Sequence, residues 1–257
     1  MERLRDTTST GLSRSGIRAI AMVLMALGIV GRSIFQNRLL GLGTVSGEQL
    51  LETMLASKDA MLLATISLVL QCMEACGVPL FAFLLVEGFQ HTSNLKNYVL
   101  RVAGVAVLSE LPYNLAMSGK LWDTGTRNPV FAMVVGLIML YMYQYYSEKT
   151  VTNALIKALV TVAALIWPVM LSIDFGVCLV ILVCVLWAFR RKPLYRNIAG
   201  ATASVVCSLT SPFFLAAPMS FLVIHFSNGE IGNENRKVNY LAYPVLLLVI
   251  GLLAKFI

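Results

Sequence analysis

Charge is scarce in this sequence: Asp, Glu, Lys and Arg make up 13% of its 257 residues, about half the share in soluble globular domains. The apolar fraction is correspondingly high, 58% against roughly 45–50% in soluble domains. Too little polar surface remains to face water, so a soluble globular fold is excluded. Period-two alternation is lacking as well, which removes support for a membrane β-barrel. The five cysteines (Cys72, Cys76, Cys178, Cys184 and Cys207) all sit inside apolar runs without metal-type pairing. They read as small packing residues, although Cys72 and Cys76 are spaced to share a helical face. No glycine-rich phosphate loop, zinc spacing or Ser/His/Asp order is present, and only two histidines, His91 and His225, are available for proton transfer.

What the sequence does contain is long uncharged runs: Asn128 to Ser147, Ala158 to Ile173, Phe175 to Phe189, Asn197 to Gly229 and Val238 to Ala254. About 20 apolar residues cross a bilayer as a helix, and continuous runs in lipid must be helical to satisfy their backbone. The pattern predicts an all-α polytopic transmembrane bundle of about eight spans, at 17–36, 60–90, 97–118, 128–146, 151–172, 174–190, 197–227 and 239–256. It forms one membrane domain over residues 1–257, with a polar cytoplasmic N-terminus at 1–16 and no soluble domain. The second span is long enough to tilt or bend at Pro79, with Glu74 near a water-facing end. The seventh, with Pro212 and Pro218 among Ser and Thr, is either a crossing or a broken, re-entrant segment. Met1 to Arg18, followed by Ala19 to Gly31, has the first two regions of a signal peptide but no small-residue cleavage site, and reads as an uncleaved first span.

Net charge is +7, but the Lys and Arg residues lie in short clusters between apolar runs, so they are topology signals and not a nucleic-acid footprint. Eight crossings with both termini in the cytoplasm place thirteen of the twenty basic residues inside, in the cytoplasmic membrane of the cell. Arg190, Arg191 and Lys192 are the strongest anchor, with Tyr141, Tyr143, Tyr145, Tyr146 and Trp187 at the same interface.

Ionisable residues inside a membrane are costly and mark candidate sites. Glu74, Glu87 and Glu110 qualify. Glu110 precedes Pro112, which frees helical carbonyls nearby; it is either a structural acid bonded to another helix or part of a polar cavity with Asn114 and Asn128. Glu87 and His91 stand four residues apart on one helical face, the spacing of a carboxylate that orients an imidazole; the alternative is a solvated helix end. No metal site is expected.

The run Pro79-Leu-Phe-Ala-Phe-Leu-Leu-Val-Glu-Gly-Phe-Gln-His-Thr92, with Tyr98, Arg101 and Ser109-Glu-Leu-Pro-Tyr-Asn114 after it, resembles the TraX family. Asn128-Pro-Val-Phe-Ala-Met-Val-Val-Gly136, Asn228-Gly229 and Tyr243-Pro244 extend the resemblance over most of residues 75–250. The resemblance implies a polytopic membrane protein related to the one that acetylates the N-terminus of conjugative pilin. Three departures stand out. Gly28 and Ile29 occupy the frame of the family's Asp-His pair, Leu246 stands where a histidine usually follows Tyr-Pro, and Glu74, Ala75 and Cys76 replace the neighbourhood of a usual arginine.

On that resemblance the expected activity is an integral membrane acyltransferase, using cytoplasmic acetyl-CoA as donor and no metal. His91 is the expected general base, oriented by Glu87, with Arg101 and Lys96 toward the donor's phosphates and Glu110, Asn114 and Asn128 toward the acceptor. The acceptor is a peptide amine, a glycan or a small molecule. Two other readings stand beside it: a transport or binding protein with Glu110 and the seventh segment lining a path, and a catalytically inactive assembly partner, for which the missing Asp-His pair is the support.

Overall fold

A computed structural model describes residues 11–41, 52, 57–232 and 236–257; most of the polar N-terminus lies outside them. The chain is all helical, without strands among the described residues. Helix α1 spans Arg14–Leu39, α-helical to Val30 and π-helical from Gly31. It is followed by α2, Lys58–His91, α3, Leu95–Ser118, α4, Val130–Tyr145, α5, Val151–Met170, and α6, Gly176–Ala188. Ser13, Ser57, Asn94 and Thr150 cap α1, α2, α3 and α5 by accepting from a backbone N–H three residues on, which satisfies one of the donors orphaned at each helix start. Helix α7, Pro193–Cys207, starts on a proline, where the missing N–H costs nothing. Two 3-10 turns, Pro212–Leu215 and Ala217–Met219, lead into the short α8, Ser220–His225, and α9, Arg236–Phe256, closes the chain.

Among the described residues five helices (α1, α2, α3, α5 and, from Val238, α9) are long and apolar enough to cross a membrane; α4 and α6 are apolar but shorter. Helix α2, about 50 Å long, is the centre of the bundle, running through Pro79 without ending and packed against α1, α6 and the α7–α8 segment.

The contacts define two ends. At one, which we call the basic end, Arg14 at the start of α1 and Arg196 in α7 both reach Glu87 near the end of α2 (3.9 and 4.0 Å). Leu12 pairs there with Ser227. At the far end, Asn37 of α1 donates to the Met117 carbonyl of α3 (2.7 Å), and the loop before α4 pairs with the loop before α6 through Arg127 and Ile173.

This arrangement decides between two expectations. Residues 197–227, expected as either a crossing or a broken, re-entrant segment, start and finish at the basic end: α7 rises until Cys178 meets Cys207 and Thr210, the chain breaks at Pro212, and α8 returns. The descent is fastened at mid-depth, where Cys76 donates to the Ala216 carbonyl (3.2 Å) and Ser220 to the Cys76 carbonyl (2.5 Å). Helix α9 then runs from Tyr240, beside Arg101, to Gly251, against Leu115 and Ala116. Among the described residues seven elements therefore run end to end where eight were expected, and the C-terminal end lies opposite Leu12.

Candidate functional site

At the basic end α2 stops at His91 and α3 restarts at Leu95. Between these ends, α1 and α9, a cavity of about 640 Å³ opens. Its rim carries Arg14, Arg18, His91, Asn97, Arg101 and Asn239. Its shaft is apolar, lined by Met22, Met25, Val78, Leu85, Val130 and Met133, and Tyr243 stands among its lining. From His91 down to Val78 along α2 is about 20 Å. Gly88 is what lets the wall close: a side chain there would run into the Tyr98 ring and hydroxyl.

His91 is half exposed at this rim. Its Nδ1 lies 2.8 Å from the Glu87 carbonyl oxygen, and since a carbonyl can only accept, Nδ1 carries the proton and Nε2 is left with the lone pair. The backbone, not the carboxylate, therefore orients the ring: Glu87 Oε2 is 3.8 Å away, beyond hydrogen-bond length. The Glu87 carboxylate instead lies between Arg14, Arg196 and the imidazole. Arg101 lines the cavity, held by its own hydrogen bond to the Asn97 carbonyl (3.1 Å) and set over the Tyr240 ring. Lys96 is exposed and does not line the cavity.

The other three candidates lie elsewhere. Glu110, Asn114 and Asn128 are buried but none lines the cavity. The Glu110 carboxylate accepts from the Asn128 side chain (2.7 Å) and backbone (3.3 Å) and from Arg127 (3.2 Å). Asn128 in turn donates to the Ala106 carbonyl (2.8 Å) and accepts from the Val130 N–H (3.0 Å) at the start of α4. The expected Glu110–Asn128 contact is present, and it latches the loop before α4 onto α3.

A second group of charges, deeper than sequence reasoning placed it, joins α1, α2, α3 and the loop before α6. Arg32 donates to Glu74 and, at 2.5 Å, to Asp174, and Tyr113 also donates to Asp174 (2.8 Å). Glu74, expected near water, is fully buried. Gly28 admits it: a Cβ at that position would collide with the Glu74 side chain. The readable signals for this group were the carboxylate at 74 and an arginine inside the first apolar run; the partner at 174, far along the chain, carried no signal of its own.

The family model described as TraX protein matches residues 13–254. The chain belongs to the TraX family. Neither the curated proteins nor the solved structures gave a match. Within this TraX chain the frame of the expected Asp-His pair is sealed: Ile29 is fully buried and Glu74 fills the space beside Gly28. Leu246 packs against the hydrophobic core. Among the described residues no three His, Cys, Asp or Glu side chains gather as a metal site would require.

Proposed function

We propose that this TraX protein is a membrane acyltransferase of the cytoplasmic membrane that takes acetyl-CoA at the basic end and passes the acetyl group to an amine or hydroxyl. The observation that carries this reading is the cavity itself, which opens at the end where the basic residues collect. With α9 starting at that end, twelve of the eighteen Lys and Arg residues in the described segments fall on its side, and such an excess favours the cytoplasm. A highly charged thioester donor is found there and cannot cross lipid. Arg14, Arg18 and Arg101 on the rim suit its phosphates; Lys96 would serve only as an outer, steering charge.

In this reading the acceptor's lone pair attacks the thioester carbonyl, Nε2 of His91 takes the acceptor's proton, the carbon–sulfur bond breaks and the thiolate leaves with the proton returned by the imidazolium. Glu87, sharing its charge among Arg14, Arg196 and the ring, stabilises that imidazolium. Glu110 and Asn128 act on the acceptor only indirectly, by holding α3 and α4 in place, and Asn114, buried outside the cavity, makes no acceptor contact. The acceptor is a peptide amine, a glycan or a small molecule. The test is labelled acetyl-CoA supplied to the protein in vesicles with a membrane extract, read by mass spectrometry: one acetylated product should appear with the protein and be missing without it. The sealed frame at Gly28 and Ile29 favours a second reading, a donor-binding assembly partner without turnover, for which acetyl-CoA would bind and no product would form.

A further inference from the structure

Helices α1, α2, α3 and α9 and the loop before α6 bring an uneven set of charges together. Arg32 serves two carboxylates, Glu74 and Asp174, while the nearest other arginine-bound acid, Glu110, has its own partner in Arg127. Among the described residues the other titratable groups facing the cluster are the phenols of Tyr113 and Tyr243 and the Cys178 thiol beside Asp174, which carry no charge as free side chains at neutral pH. Taken as fully ionised, the cluster holds one negative charge too many in a place that hydrocarbon and protein surround. An uncompensated buried charge is neutralised before it is tolerated, and two carboxylates sharing one site resolve the conflict by holding a proton between them. Asp174 is partly open to solvent, with 18% of its side chain exposed, whereas Glu74 is at 0%, so the proton belongs on Glu74.

A second observation points to the same atom. Glu74 Oε2 is buried without a hydrogen-bond partner, and so are Arg32 Nε and the Tyr243 hydroxyl. Buried polar atoms are nearly always satisfied by protein or water. Tyr243 also lines the cavity that opens at the basic end, and it lies close enough to Glu74, Arg32 and Asp174 to feel their charges. A metal cation is disfavoured because the guanidinium stands between the two carboxylates.

We propose that Glu74 is a proton-binding site, shared with Asp174 across Arg32 and reached by water from the cavity past Tyr243. Glu74 is then placed to exchange a proton with a group bound at the depth of the shaft, and the polar line Tyr243, Glu74, Arg32, Asp174 continues from the cavity to the far end. The inference does not depend on acyl transfer and is tested without substrate.

The whole protein in lipid nanodiscs, titrated from acid to alkaline pH and followed by infrared difference spectroscopy, should show a protonated-carboxyl band that is lost on Glu74→Gln. Asp174→Asn, in a partly exposed loop, leaves Glu74 alone with Arg32. The band should then titrate about one pH unit lower or more, a tenfold loss of proton affinity. In heavy water the wild-type band should shift promptly, as water access requires. A band that survives Glu74→Gln, a midpoint unmoved by Asp174→Asn, or a carboxyl that resists deuterium exchange for hours overturns the proposal. Should Glu74→Gln fail to fold, Asp174→Asn and the exchange measurement decide it.

Discussion

The acids at the two ends of the bundle are held in different ways. At the basic end Glu87 meets Arg14, Arg196 and His91 only at 3.8–4.0 Å, beside a cavity. At the far end Glu74, Asp174 and Glu110 accept hydrogen bonds directly from Arg32 and Arg127 and none lines that cavity. Pairs beyond hydrogen-bond length bind their partners weakly, while removing one partner of a directly hydrogen-bonded pair leaves the other's polar atoms unsatisfied and is costly. The comparison assigns ligand contact to the rim and the holding of the fold to the far end.

The largest expected effect is on activity at the rim. His91→Ala should lower acetyl transfer by about a hundred- to ten-thousand-fold, the usual share of general-base assistance, with the thermal midpoint nearly unchanged because the ring is half exposed. Near-normal transfer in this variant would remove His91 from the mechanism. Glu87→Gln should reduce transfer less, since the ring is held by the backbone carbonyl.

Next comes the far-end cluster. Arg32→Met removes the countercharge of Asp174 and the hydrogen-bond donor of the buried Glu74 and should destabilise the protein by about 3–5 kcal/mol, read as loss of the folded protein in a thermal or denaturant series in detergent. A variant as stable as wild type would mean that the cluster is neutralised in another way. Smaller again, Glu110→Ala leaves the Asn128 side chain and backbone N–H short of an acceptor and should cost about 1–3 kcal/mol. Donor binding at the opposite end should be unaffected; a loss of donor affinity in this variant would erase the division between the two ends.

Much of this organisation was legible in the sequence. The observed α1 to α6 agree with the predicted 17–36, 60–90, 97–118, 128–146, 151–172 and 174–190 to within a few residues, because apolar runs in lipid have only one way to satisfy their backbone. Arg190 stacks on Trp187 and Tyr141 lines the same pocket, so these residues, grouped in the sequence reading, are also grouped in space. The contact of Glu110 with Asn128 was also readable, since a carboxylate inside an apolar run needs a polar partner and Asn128 stands at the start of the next run. The fold-back of 193–225 was legible only as one of two alternatives: Pro212 and Pro218 marked a break, an uncharged run that long is also sufficient to cross, and what decides is tertiary, the bonds of Cys76 to Ala216 and Ser220. The same limit hid the Arg32–Asp174 pair, whose members are 142 residues apart, and the exclusion of Glu110, Asn114 and Asn128 from the cavity, which depends on which way α3 faces.

The fold-back has a direct consequence for labelling. A cysteine introduced at Ile257 should react from the side opposite one introduced at Gly11; both reacting from the same side would restore an eighth crossing.

The central claim is that the cavity at the basic end receives the acyl donor. Its most direct test is equilibrium binding of acetyl-CoA to the protein in nanodiscs, comparing wild type with Arg101→Gln and with Arg127→Gln at the far end as control. A lost charge-assisted contact is worth about 1.5–3 kcal/mol, so Arg101→Gln should weaken binding roughly ten- to a hundredfold while Arg127→Gln leaves it unchanged. No measurable binding by the wild type, or equal affinity in all three proteins, would contradict the account.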